Sequence, residues 1–231
     1  IGVGAVLVMV SIGGGARRQV EERIASLGRN VVVVFPGSQT STGVRTGSGT
    51  SQSLTLEDVD AIRQECPSLQ YVSPVYRRNF QVVAGNQNWF TYIEGVGAEY
   101  LDVRIWPLLR GEFFTDAHLK SAAKVCALGQ TVAEKLFGAE DPLGETVRIQ
   151  NVPFQVIALL TRKGQSVKGQ DQDDVVLVPA TTHLQRLYHK ARLSSVIAAA
   201  RTAQDLDNAQ EEITQLLRQR HKIGNPNDDD F

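Results

Sequence analysis

Residues 164–169, Gly164-Gln165-Ser166-Val167-Lys168-Gly169, are where this chain comes nearest to a catalytic signature. A nucleophile elbow sets a serine between two glycines as Gly-x-Ser-x-Gly, so that the hydroxyl stands on a sharp exposed turn. Here one residue too many separates Ser166 from Gly169, and no histidine is spaced to act as its base. The four histidines, His118, His183, His189 and His221, have no His-x-x-x-His or comparable metal-ligand spacing. His221, near the end of a helical pattern, is placed to complement the helix dipole. Asp171, Asp173 and Asp174 suggest calcium, but Val175 and Val176 stand where an EF-hand loop needs glycine and acidic ligands. Glu134, Glu140, Asp141 and Glu145 crowd one turn, whereas paired-carboxylate hydrolysis needs two such groups converging across a cleft. Gly13-Gly14-Gly15 lacks the preceding strand and the Gly-Lys-Ser/Thr ending of a phosphate loop. The chain reads as non-catalytic, with no cofactor or metal site of its own.

What remains of that stretch is a polar loop, 164–174, with three glutamines and two glycines between two apolar runs, 154–160 and 175–178. Loops held on a rigid scaffold are where contact residues concentrate. Gly164, Gln165, Ser166, Gln170, Asp171, Gln172, Asp173 and Asp174 are therefore the candidate partner-contact residues. A solvated hairpin loop, or a loop packed between subdomains, has the same composition.

The elements that must position this loop are legible on both sides. Val132 and Leu136 recur at helical spacing and Gly138 follows as a C-terminal stop. Asp141-Pro142-Leu143-Gly144 is turn chemistry, with proline presetting φ and glycine tolerating positive φ. Val147 and Ile149 alternate with polar residues as in a half-buried strand. Upstream, residues 31–35 form a β-branched strand, and Thr55 with Asp58 forms a capping box opening a helix over 55–66. A strand over 72–84 turns at Gly85-Asn86-Gln87-Asn88 into a returning strand, 89–96. Downstream come a helix begun at Pro179, a strand over 193–200, a helix over 205–221 and the start of a further strand at 228–231. Residues 36–53, rich in Gly, Ser and Thr with a single charge, predict a mobile linker.

The layout is α+β: a split βαβ, ferredoxin-like, porter-type subdomain over 28–96 plus 191–231, with a smaller α/β subdomain, 97–190, inserted. The insertion is expected to project from its host, joined only through Gly97 and residues 190–192, and to shift as a body. The chain has 231 residues, 42% of them hydrophobic and 21% charged, which suits one large or two small globular domains. A net charge of -1 excludes the basic face that nucleic acid requires. Cys66 and Cys126 make no disulfide framework and are expected as buried free thiols. Residues 1–12 are almost wholly apolar but short of the ~20 needed to span a membrane. They fit a buried core helix, or the last turns of a truncated transmembrane helix that continues as an amphipathic helix to residue 27.

The run LFGAEDPLGETVRIQNVPFQVIALLTRKGQSVKGQDQDDVVLVP resembles the periplasmic core domain of MacB-type ABC transporter permeases, the macrolide and peptide exporter family. The similarity extends from GVGAVLVMVSIGGGARRQVEERIASLG to LLRQRH, nearly the whole chain. The resemblance implies a homodimeric inner-membrane permease, placed on the periplasmic side and attached through flanking helices. It implies ATP and Mg bound by a separate nucleotide-binding domain, a periplasmic adaptor of the MacA type and, through it, a TolC-like outer-membrane channel. Exported substrates would be macrolides, peptides or other amphiphiles. Lipoprotein-release permeases share the architecture. An extracytoplasmic ligand-binding or sensor module is the rival from another class, and it requires a concave apolar pocket with convergent polar groups.

Overall fold

The computed structural model describes residues 30–37, 40–41, 44–45, 54–166, 169–189, 192–225 and 229–231. The expectations for residues 1–27 lie outside these. So does most of 36–53, although Thr40–Ser41 (β2) and Val44–Arg45 (β3) pair as a small antiparallel ladder.

The chain runs β1 (Val31–Val34), β2, β3, α1 (Leu56–Glu65), β4 (Leu69–Ala84), β5 (Gln87–Val96), α2 (Tyr100–Arg104), β6 (Leu108–Gly111) and α3 (Asp116–Lys120). It continues through β7 (Val125–Leu128), α4 (Gln130–Phe137), β8 (Thr146–Ile149), β9 (Val152–Leu160) and β10 (Val175–Pro179). A short helix α5 (Ala180–Thr182) widens into a π-turn, His183–Leu187, before β11 (Ser195–Ala200) and α6 (Leu206–His221). The local signals act as their chemistry requires. Thr55 accepts the Asp58 N–H while Asp58 accepts the Thr55 N–H, a complete capping box. Gly138 at φ 63° ends α4, and Gly144 at φ 84° closes the Asp-Pro-Leu-Gly turn with a Glu145 N–H to Pro142 carbonyl bond. Only Gly85 and Asn86 separate the paired strand ends Ala84 and Gln87. Pro179 ends β10 and is the N-cap of the helical segment that follows, as its type predicts, and Cys66 and Cys126 are buried free thiols.

Nine strands form one sheet in the order β1-β11-β4-β5-β10-β7-β9-β6, with β8 pairing both β4 and β9. That double pairing closes a ring. From β4 one passes through β5, β10, β7, β9 and β8 and returns to β4 at Val82↔Ile149. The protein is thus mixed α+β, but it departs from the expected ferredoxin-like layout with an insertion joined at two covalent points. β4 is 16 residues long, twice what the host sheet uses. Its first half pairs β11, and its far half, with β5, supplies two strands to the barrel. Parallel pairing of β10 with β5 over five residues binds segment 97–190 to the hairpin by backbone hydrogen bonds along its length. Of the terminal strand expected at 228–231, residue 228 lies outside the described residues and 229–231 carry no strand; there the Asp230 carbonyl accepts the Gly37 N–H at 2.6 Å.

Three apolar clusters fill the molecule. On one face of β1-β11-β4, Val59 and Ile62 of α1 and Ile213 and Leu217 of α6 pack on Val72, Val196 and Ala198. Inside the barrel, Phe80, Val82, Ile93, Leu128, Ile149, Phe154 and Val176 meet, with Val132 and Leu136 of α4 stopping one end. On the outer wall, Tyr100, Val103, Trp106 and Phe114 strap α2 and its following segment across Ala127, Ala158, Leu177 and Ile197. This third cluster joins host sheet and barrel into one body.

Candidate functional site

The 164–174 loop leaves β9 and re-enters the sheet as β10, and its base is built around Asp173. That carboxylate is 2% exposed; its two oxygens accept the Lys163 N–H at 2.7 Å and the Gly164 N–H at 2.9 Å. Gly129 packs so closely beneath it that a Cβ there would lie 2.2 Å from the Asp173 carbonyl oxygen. Asp171 accepts the Asp173 N–H at 2.9 Å and the Thr131 hydroxyl at 2.6 Å, tying the loop to the first turn of α4. Asp174 accepts the Trp89 indole N–H at 2.8 Å, and its carbonyl accepts the Thr91 hydroxyl at 2.9 Å. Gln172 accepts from the Arg104 guanidinium at 2.8 Å. Nearer the tip, the Ser166 N–H donates to the Gln170 carbonyl at 2.7 Å and its hydroxyl accepts the Gln170 N–H at 3.2 Å.

The eight candidate residues therefore divide by task. Asp171, Gln172, Asp173 and Asp174 hold the loop to its scaffold. Gln165 and Gln170 are exposed, while Gly164 and Ser166 are half-buried. What reads in sequence as a solvated acidic turn is largely a set of internal acceptors, because buried backbone N–H groups demand partners. Val167 and Lys168 lie outside the described residues.

Sequence reasoning missed the groups behind the loop. The Lys163 ammonium donates to the Arg104 carbonyl at 2.7 Å and sits 5.2 Å from the Trp106 ring centre; the Trp106 indole N–H donates to the Thr161 carbonyl at 2.7 Å. Burial, with the neighbouring Arg104 charge, lowers Lys163 to about 7 against the pull of Asp173. Arg104 Nε and Gln172 Nε2 are buried with no acceptor among the described residues. Arg104 is about 60 residues from the loop, so no local spacing announces the pairing.

The other candidate chemistry does not converge. Glu134 pairs with Arg162, Asp141 pairs with Arg110 at 2.7 Å, and Glu140 and Glu145 are exposed. His118 caps α3, and His183 is buried, stacked on Tyr76 and brought down to about 4 by burial and then by Arg78. Among the described residues no group of three His, Cys, Asp or Glu could hold a metal ion. No helix among them is long and apolar enough to cross a membrane.

At the β1 side of the sheet, α1, α6 and residues 229–231 are tied together. His221 places Nδ1 2.7 Å from Asp230 and Nε2 3.3 Å from Asp58. Both ring nitrogens can donate only as imidazolium. Burial lowers its affinity for a proton, but the Asp230 and Asp58 carboxylates together outweigh this and raise its pKa. Asp58, 3% exposed, also holds Arg220 at 2.7 Å; burial raises its pKa, and the Arg220, Thr55 and His221 bonds together bring it below the usual carboxylate range. Arg218 grips Asp229 through two bonds of 2.6 and 2.8 Å.

This strapped sheet-and-barrel body, with residues 229–231 fastened at one edge and a scaffolded loop elsewhere, is a fold already seen in a solved structure. Its fold matches the crystal structure of the periplasmic region of MacB from Actinobacillus actinomycetemcomitans with a TM-score of 0.73 at 25% identity, covering 88% of this chain and 90% of that one. The chain belongs to the MacB-like periplasmic core domain family, whose model matches residues 1–216. It is 36% identical over its whole length to the macrolide export ATP-binding/permease protein MacB of Chlorobium luteolum. To the protein of that name from Syntrophobacter fumaroxidans it is 42% identical over 182 residues, 78% of this chain. The chain spans 34% and 26% of the lengths of these two relatives.

Proposed function

We propose that this chain is the non-catalytic periplasmic part of an ABC exporter permease, passing ATP-driven motion from membrane helices to a periplasmic adaptor of the MacA type. The adaptor connects to a TolC-like outer-membrane channel, and the cargo is a macrolide, peptide or other amphiphile. The permease works as a homodimer, with ATP and Mg held on a separate nucleotide-binding domain.

The observation that carries this reading is the match of residues 1–216 to the MacB-like periplasmic core domain family. The geometry that supports coupling is the fastening of the last described residues: Arg218 grips Asp229, His221 meets Asp230, and the Gly37 N–H donates to the Asp230 carbonyl at 2.6 Å, which ties 229–231 to α6 and to the segment after β1. A displacement entering there meets no hinge: β1 is laddered to β11, β11 to β4, and β4 runs on into the barrel. Close-packed interiors move as bodies and do not absorb such a shift locally.

The test is Asp229→Ala with Asp230→Ala in the full permease, reconstituted with its adaptor and assayed for macrolide export and ATP hydrolysis. The expected result is preserved ATP hydrolysis with less export per ATP. Unchanged export per ATP in a folded variant overturns the coupling reading.

A further inference from the structure

We infer that His221 is a proton-operated latch: charged, it bridges Asp58 of α1 and Asp230 and holds residues 229–231 against α6; neutral, it lets Asp230 go and with it the contact to the segment after β1. The latch stands on the geometry of this cluster. Its effect on export rests on the coupling reading.

The imidazole is wedged between two carboxylates. Its Nδ1 lies 2.7 Å from Asp230 and its Nε2 3.3 Å from Asp58, and the side chain is 11% exposed. The Phe231 ring meets it edge-on, with 6.1 Å between ring centres. Only the imidazolium donates from both nitrogens. A neutral ring, in either tautomer, turns a bare lone pair towards one of the two carboxylates.

The two carboxylates are not equally able to move away. Asp58 is 3% exposed and fixed from three sides, by the Thr55 N–H and hydroxyl at 2.9 Å each and by Arg220 at 2.7 Å. Asp230 is half-buried on an irregular segment. Loss of the proton is therefore relieved at Asp230. Because the Asp230 carbonyl also accepts the Gly37 N–H, its displacement opens that link too. Arg218 and Asp229 do not follow. Their mutual bonds raise the arginine and lower the carboxyl, so the pair stays charged through the neutral range and serves as the pivot.

The charges around His221 set the direction. α1 brings Asp58, the end segment brings Asp229 and Asp230, and α6 itself brings Arg218, Arg220 and the exposed Lys222. β1, four valines, brings none. Burial lowers the affinity of the ring for a proton, and Asp230 with Asp58 outweighs it. The latch is therefore shut below the ordinary histidine value and opens as pH rises through the raised one.

The test has two arms. In the 15N-labelled chain the His221 ring nitrogens are titrated by NMR. Exchange of the Gly37 N–H, corrected for intrinsic base catalysis, is then measured one pH unit below and one above the midpoint. The latch requires a midpoint above about 6.5 and about tenfold less protection of Gly37 on the alkaline side, the worth of one charge-assisted hydrogen bond. Amides of the β11–β4 ladder must keep their protection, because the opening is local. Asp230→Asn must erase the difference with Gly37 protected on both sides, since a carboxamide accepts from Nδ1–H and donates to bare Nδ1. A midpoint at or below about 6.5, equal protection of Gly37 in the wild type, or a fall that persists in Asp230→Asn overturns the latch. In the second arm the full permease is reconstituted with its adaptor, and export per ATP is measured on both sides of the same midpoint. It is expected to fall on the alkaline side in the wild type and to hold in Asp230→Asn. If Gly37 opens as required while wild-type export per ATP stays level, the latch stands and the coupling reading is overturned.

Discussion

Replacing Asp58 with alanine removes the centre of the knot that holds α1, α6 and the last described residues together. Two losses combine. The capping box at Thr55 disappears, which costs about 1 kcal/mol. Arg220 and His221 also lose a carboxylate that is 3% exposed. Breaking a buried pair costs ~3–5 kcal/mol, and because the Arg220 side chain is 34% exposed, about half of that is the reasonable share here. Asp58→Ala is therefore expected to cost about 3 kcal/mol at pH 6. The cost depends on pH in a definite direction. The carboxylates raise His221 above its ordinary value despite burial, so its stabilising contribution is whole below about pH 6.5 and fades as pH rises through the raised value. At pH 9 the cost of Asp58→Ala should be smaller than at pH 6. The Thr55 cap and the Arg220 pair remain to be lost at either pH. Urea unfolding followed by circular dichroism at pH 6 and 9 measures both values, with His221→Ala as the reference in which the pH difference vanishes. A cost under about 1 kcal/mol at both pH values, or an equal cost at both, refutes the reasoning.

Gly95→Ala places a Cβ 2.5 Å from the His183 Cβ and should destabilise the chain by at least about 2 kcal/mol, read as a lower urea midpoint at unchanged slope. His183, near 4 when folded and about 6.5 when unfolded, must take up a proton on unfolding in mild acid. Stability is therefore expected to drop by about 2 kcal/mol between pH 6.5 and 4.5, and His183→Phe should flatten that slope; an equal slope in both proteins counts against a neutral buried imidazole. The chain is expected neither to bind nor to hydrolyse ATP, and saturable heat on titration of the purified protein with ATP and Mg would reverse that expectation.

Much of the fold is legible in the sequence because its signals are local. Thr55 with Asp58, Gly138 after Leu136, the Asp-Pro-Leu-Gly turn and the tight β4–β5 turn each depend on neighbours within a few residues. What escapes is register between distant strands. Nothing near Val82 or Ile149 states that they pair, yet that pairing turns an apparent insertion into a barrel. The alternation on β4 is the same whether its far half pairs one neighbour or two. The candidate loop was legible as a loop, but the use of its side chains was not. Asp173 and an exposed aspartate are written identically, and only the Lys163 and Gly164 amide hydrogens distinguish them. The Arg104 and Lys163 pairing was invisible for the same reason, since a contact between residues so far apart in the chain has no signature in composition.

The sharing of β4 also decides how this protein can be cut and recombined. Residues 97–190 look like a cassette for exchange between relatives, but they bring only four of the barrel's six staves, β7, β8, β9 and β10. The other two, the far half of β4 and β5, stay behind with the recipient. A chimera spliced at those borders must match a foreign β10 to a resident β5 over five pairs and a foreign β8 to a resident β4 over two. Wherever the twist of the two parents differs, such a graft leaves raw strand edges that invite aggregation. A transplant that begins beyond Val75, where β4 starts pairing with β5, carries the whole barrel and leaves the host sheet's β11 pairing intact.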